Sequence, residues 1–132
     1  YIHAGGKVAG VVVLACETDF VAKTDEFKAL AHDISMHIAA AAPQYLTEEE
    51  VPAEAIENEK EIYRKQLETE GKPADMLDKI IGGKLSKFYQ EVCRLNQVGI
   101  KDDKKTIQQL IDDATGKLGE KIEIKSFARH TV

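Results

Sequence analysis

Glu17-Thr18-Asp19-Phe20-Val21-Ala22-Lys23 decides how this chain is read, because the residue pattern changes period across it. To its left, Val8 to Cys16 is a run of strand formers. To its right, Phe27, Leu30, Ala31, Ile34, Ile38 and Ala41 recur at helical spacing. Thr24 can cap that helix, and Asp25 and Glu26 suit its positive end. A phenylalanine and a carboxylate thus stand side by side where strand gives way to helix. Two readings are open. Asp19 and Phe20 form an exposed working tip, or Phe20 is a hydrophobic staple and Thr18 and Asp19 are ordinary caps.

Upstream, Tyr1 to Ala4, Gly5-Gly6 and Lys7 to Cys16 read as a β-hairpin, the glycine pair supplying positive φ angles for the turn. Val8, Val11, Val12, Val13 and Leu14 are apolar on both faces, which predicts a strand covered on two sides. Downstream, Pro43 stops the helix that begins near Asp25, with His37 at the edge of its apolar face. Thr47 and Glu50 have the spacing of a capping box for a short turn. Pro52 opens a second helix, poor in apolar residues and ended by Gly71. Pro73 opens a third, interrupted by Gly82-Gly83, where close helix packing and a hinge are both open readings. Residues 94–105 read as a loop or short edge strand. Thr106 and Gln109 form a capping box for a fourth helix that ends at Gly119, and Lys121 to Arg129 reads as a final strand. The expected fold is α+β over residues 1–132, with a three-stranded antiparallel sheet (the N-terminal hairpin plus the C-terminal strand) packed with about four helices. If Val12 and Leu14 lack cover within the chain, a second copy stacked sheet on sheet would supply it.

The 132 residues suffice for one domain with a core, and 43% hydrophobic with 31% charged content fits a globular chain, not a disordered one. The apolar runs Val11 to Cys16 and Ile38 to Pro43 are too short to span a bilayer. A net charge of −5 argues against nucleic acid as a direct partner. Cys16 and Cys93 read as small core residues in a reducing compartment. The chain starts at Tyr1 with no Met, which reads as a piece of a longer protein.

Motifs for chemistry are absent. Gly5-Gly6 and Gly82-Gly83 lack the spacing of a phosphate-binding loop. His32 and His37 are five apart, so they do not share a helix face as metal ligands four apart would. No cofactor or metal is expected. An enzyme would need a pocket lined by Cys16, His3 or His130.

Four stretches, in order, resemble one family. Cys16-Glu17-Thr18-Asp19-Phe20-Val21-Ala22 resembles the signature of translation elongation factor Ts. Met36-His37-Ile38-Ala39 followed by Pro43, then Gly71-Lys72-Pro73 with Gly83-Lys84-Leu85-Ser86-Lys87-Phe88, then Lys117-Leu118-Gly119-Glu120-Lys121-Ile122 are similar to further family segments. There are departures: Gln97-Val98-Gly99-Ile100 stands where Gln-Pro-aromatic is usual, and Lys121 follows Leu118-Gly119-Glu120 where the family has Asn. Ser126 and Ala128 bring no Cys to the last strand, which leaves no basis for an intersubunit disulfide there.

The resemblance implies a non-enzymatic guanine-nucleotide exchange factor that promotes GDP release from elongation factor Tu in the cytoplasm. It implies the core and dimerisation part of a short form, without the N-terminal helical module, working as a homodimer through its sheet with no membrane contact. It also implies partner-binding residues: Thr18, Asp19, Phe20 and Val21 at the tip, Met36, His37 and Ile38 near the phosphate loop, and Leu118 and Gly119 at another contact. The alternative is a structural dimerisation fragment with no exchange activity of its own.

Overall fold

Strand β1 (Val8–Ala15) pairs antiparallel with β2 (Glu123–Thr131), with Val8 opposite Thr131, Val12 opposite Phe127 and Leu14 opposite Ile124. The register slips between Val13 and Leu14, leaving Lys125 outside the pairing as a β-bulge. Side chains alternate across a strand. Val12, Leu14 and Phe127 therefore pack on the core, while Val11 and Val13 look the other way, 48% and 50% exposed. Among the described residues the half-exposed pair is thus Val11 and Val13, not Val12 and Leu14.

The computed structural model describes residues 1–93, 96, 97, 99 and 104–132, with residue 74 described by its backbone alone. The loop or edge strand expected over 94–105 falls largely outside the described residues.

Helix α1 (Asp19–Ala22) is a single turn, and α2 (Asp25–Ala41) follows at once. Thr24 caps α2, its Oγ1 accepting from the Phe27 amide at 3.2 Å. Ala42 ends it with a φ of 50°, ahead of Pro43. The helix lies on the inner face of the sheet. The core is built where α2 and the sheet meet α5 (Ile107–Leu118), around Phe27, Ile34, Ile38, Ile107, Ile111 and Ile124. The capping box of Thr106 and Gln109 is complete, and Gly119 closes α5 in the left-handed region at φ 74°.

Helices α3 (Ala53–Thr69) and α4 (Ala74–Val92) form an antiparallel hairpin that packs mainly on itself through Leu67, Ile81 and Tyr63, with the Lys84 ammonium 5.5 Å from the Tyr63 ring centre. Its base is tied to the body where the Gln44 and Tyr45 amides donate to the Val92 carbonyl at 3.0 and 2.8 Å.

The structure corrects the expected sheet and helix count. The sheet has two strands, β1 and β2, and there are five α-helices among the described residues. The glycine turn forms, with Gly5 and Gly6 at φ 95° and 69°, but it occupies residues 4–7. Pairing upstream of it is confined to one isolated bridge, Ile2 with Ala9, flanked by Tyr1–Gly10 and His3–Val8 backbone bonds. One bridge is not a ladder, so no third strand is made. The extra helix is α1, too short to show any periodicity. Gly82 and Gly83 leave α4 uninterrupted, and among the described residues a Cβ at either meets nothing within 4 Å, so no close packing there calls for glycine. None of the described helices is long and apolar enough to cross a membrane.

Candidate functional site

β1 carries the chain to Cys16, whose Sγ–H donates to the Thr18 carbonyl at 3.2 Å. Thr18 is extended (φ −130°, ψ 154°) and is the N-cap of α1, its Oγ1 accepting weakly from the Val21 amide at 3.5 Å. Val21 turns inward, 8% exposed, and its carbonyl accepts from Thr24 Oγ1 at 2.7 Å. Between these two anchored residues, Asp19 and Phe20 face solvent, and Phe20 is 86% exposed. A ring that exposed staples nothing.

The other wall of the site comes from the far end of the chain. Glu120 Oε1 accepts from the Thr18 amide at 2.8 Å and the Glu17 amide at 3.1 Å, and its Oε2 accepts from Thr18 Oγ1 at 2.6 Å. Glu17 returns the contact, accepting from the Lys121 amide at 3.4 Å. This exchange draws the end of α5 beside the tip. Leu118 and Gly119, 100 residues away in the sequence, end α5 just before Glu120 and so lie near Thr18 in space; Leu118 is half-buried against the core and Gly119 is exposed. Glu123, the next carboxylate along, is held below the usual carboxylate range by the hydrogen bond from Lys125 and then by the charges of Lys121 and Lys125.

Met36, His37 and Ile38 lie elsewhere. At 1.5 Å per residue, the ten residues from Phe27 to His37 place them on the order of 15 Å along α2 from the tip end. Ile38 is wholly buried in the core and His37 nearly so. The His37 Nε2–H donates to Gln97 Oε1 at 2.6 Å, since Gln97 uses its amide nitrogen on the Glu91 carbonyl at 2.9 Å. Met36 is half-buried and borders an apolar cavity of about 300 Å³ lined also by Tyr1, His3 and Val8.

The expected site residues therefore lie in two regions, Thr18, Asp19 and Phe20 near the end of α5 at Leu118 and Gly119, and Met36 with the buried His37 farther along α2. Val21 and Ile38 sit beneath them as core anchors. Glu120 stands in the sequence within the family-like segment 117–122 but is not among the expected partner-binding residues. Its contact with Thr18 spans 102 residues, and no local spacing signals it.

The residues considered for chemistry are dispersed. His130 pairs with Ala9 on the sheet, seven residues from Cys16, or about 23 Å at strand rise. Burial, and then the carboxylates of Glu48, Glu50 and Glu49, push the Cys93 thiol up to about 11, which keeps it protonated and unreactive at neutral pH. No group of three His, Cys, Asp or Glu suited to a metal ion occurs among the described residues.

The family model described as "Elongation factor TS" matches residues 1–132. The elongation factor Ts of Koribacter versatilis is 53% identical over 132 residues, 100% of this chain and 60% of that protein. Those of Geobacter sulfurreducens and Heliobacterium modesticaldum are 51% and 52% identical over 129 residues, 98% of this chain and 60% of each relative. The chain thus spans about 60% of the length of these relatives. It belongs to the elongation factor Ts family.

Proposed function

We propose that this chain promotes GDP release from elongation factor Tu, with Phe20 as the inserted group and Asp19 beside it. The observation that carries the reading is Phe20 at 86% exposure on a turn anchored at both ends. An isolated exposed apolar ring loses nothing internal when a partner buries it. A GTPase holds GDP through phosphate-loop amides and a Mg²⁺ ion kept by few protein ligands. An exchange factor need only bind the nucleotide-free form better than the loaded one, and the coupling is reciprocal, so rebinding GDP expels the factor. Burying a Phe side chain contributes about 1.5–3 kcal/mol, which corresponds to roughly one to two orders of magnitude in affinity.

The remaining contacts in this reading come from Leu118 and Gly119 beside the tip and from Met36 farther along α2. His37 and Ile38 hold that stretch of helix, and Val21 holds the tip. The factor acts in the cytoplasm as a regulator, not an enzyme, without direct contact to nucleic acid or membrane. It works as a homodimer joined by the outer face of the sheet, where Val11 and Val13 stand half exposed.

The test is stimulated GDP release from elongation factor Tu. Phe20→Ala is expected to lower it about tenfold or more with the fold intact. Unchanged stimulation overturns the wedge. A second reading, an inert dimerisation fragment, draws on the 60% coverage of the relatives. Absence of binding when the chain is titrated to micromolar concentrations into GDP-loaded factor Tu would favour it.

A further inference from the structure

α1 is one turn of helix, four residues long. Such a turn does not hold itself, because nucleation fixes several dihedrals for a single hydrogen bond. The direction of Phe20 is set by whatever grips the turn at its two ends. One grip is apolar, Val21 sunk into the core. The other is polar. Three donors from Glu17 and Thr18 converge on the Glu120 carboxylate, at 3.1, 2.8 and 2.6 Å. Thr18 Oγ1 passes the contact on by accepting from the Val21 amide. Hydrogen bonds to a charged group are the stronger kind, and three of them on one carboxylate fix its direction even at the surface.

Glu120 is itself held on both sides. Gly119 before it turns the chain in the left-handed region, and Ile122 after it is 4% exposed in the core. We propose that Glu120 is the positioning residue of the Asp19–Phe20 tip: its carboxylate clamps the N-cap of α1 and aims Phe20 into solvent. The proposal rests on the reading of Phe20 as the exchange wedge. It assigns to Thr18 an internal duty, since its amide and hydroxyl are both engaged by Glu120. A glutamine at 120 keeps one acceptor oxygen for the two amides, but it has no charge and no second acceptor for the Thr18 hydroxyl, which must turn to accept from the new NH2 group, so it serves as a partial substitute.

The experiment compares the protein with its Glu120→Ala, Glu120→Gln and Phe20→Ala variants. Amide hydrogen exchange and ¹⁵N relaxation read the clamp in the free protein. In Glu120→Ala the Glu17 and Thr18 amides are expected to exchange roughly tenfold faster, and Asp19 and Phe20 to lose order, while the amides of Ile34 and Ile38 keep their protection. Glu120→Gln falls between. Stimulated GDP release drops in Glu120→Ala, and the substitution adds nothing once Phe20 is already Ala. Unchanged exchange at Glu17 and Thr18 overturns the proposal. So does a loosened tip with full stimulated release, if Phe20→Ala alone abolishes it. Should Phe20→Ala leave release untouched, the exchange reading is what fails, and the amide measurements still decide whether Glu120 holds the tip.

Discussion

Gly10 is the most closely packed of the described glycines. A Cβ built there lies 2.1 Å from the Ser35 carbonyl oxygen and 2.9 Å from the Ala39 nitrogen, both backbone atoms of α2. Neither can rotate away. Gly10→Ala must push α2 off the sheet, and it is expected to destabilise the fold by roughly 1–3 kcal/mol, read as a lower midpoint in denaturant unfolding. An unchanged midpoint contradicts the close packing of α2 on β1. A lone glycine inside a strand pattern signals a bulge or a close backbone approach; which backbone approaches is decided by a helix residue 25 positions away. Phe20 is the opposite case. Its place between a strand run and a helix cap left two readings, and its exposure separates them.

Elements differ in how far their own residues specify them. The Thr106–Gln109 box formed as spelled, with the Thr106 amide donating to Gln109 Oε1 at 2.8 Å. Thr47–Glu50 has matching chemistry, yet Thr47 makes no side-chain cap bond and Glu50 accepts instead from the Leu46 amide at 2.8 Å. A three-residue 3-10 turn does not present the N3 amide that a longer helix offers. In α4, Gly82 and Gly83 carry the entropic penalty of glycine in a helix with open space where side chains would lie. Gly82→Ala and Gly83→Ala are each expected to raise stability by about 1 kcal/mol in denaturant unfolding. A loss of stability in either would reveal a close neighbour that the described residues do not contain.

Among the described residues, the two-stranded sheet has α2 and α5 packed on one side, the α3–α4 hairpin apart, and Val11 and Val13 half-exposed on the other side. Two strands with a bare face are marginal alone. The proposed homodimer answers that exposure by placing Val11 and Val13 of each copy against its partner. Val13→Glu buries an unpaired carboxylate in that contact and is expected to convert a dimer to a monomer in sedimentation, with unchanged helical circular dichroism. A protein that is monomeric before substitution, or still dimeric after it, removes the sheet interface.

The chain by itself determined its local grammar: the caps and stops of α2 and α5, the strand patterns of β1 and β2, and that Asp19 and Phe20 sit at a change of period. Those features depend on neighbours within a turn or two, so they are written in the order of residues. Tertiary structure alone decided which face of β1 is covered, that Tyr1 to His3 make a bridge and not a strand, that His37 at the edge of its helix face is buried against Gln97, and that Glu120 clamps Thr18. Each of these depends on groups tens of residues apart meeting in space, and chain periodicity carries no record of such meetings.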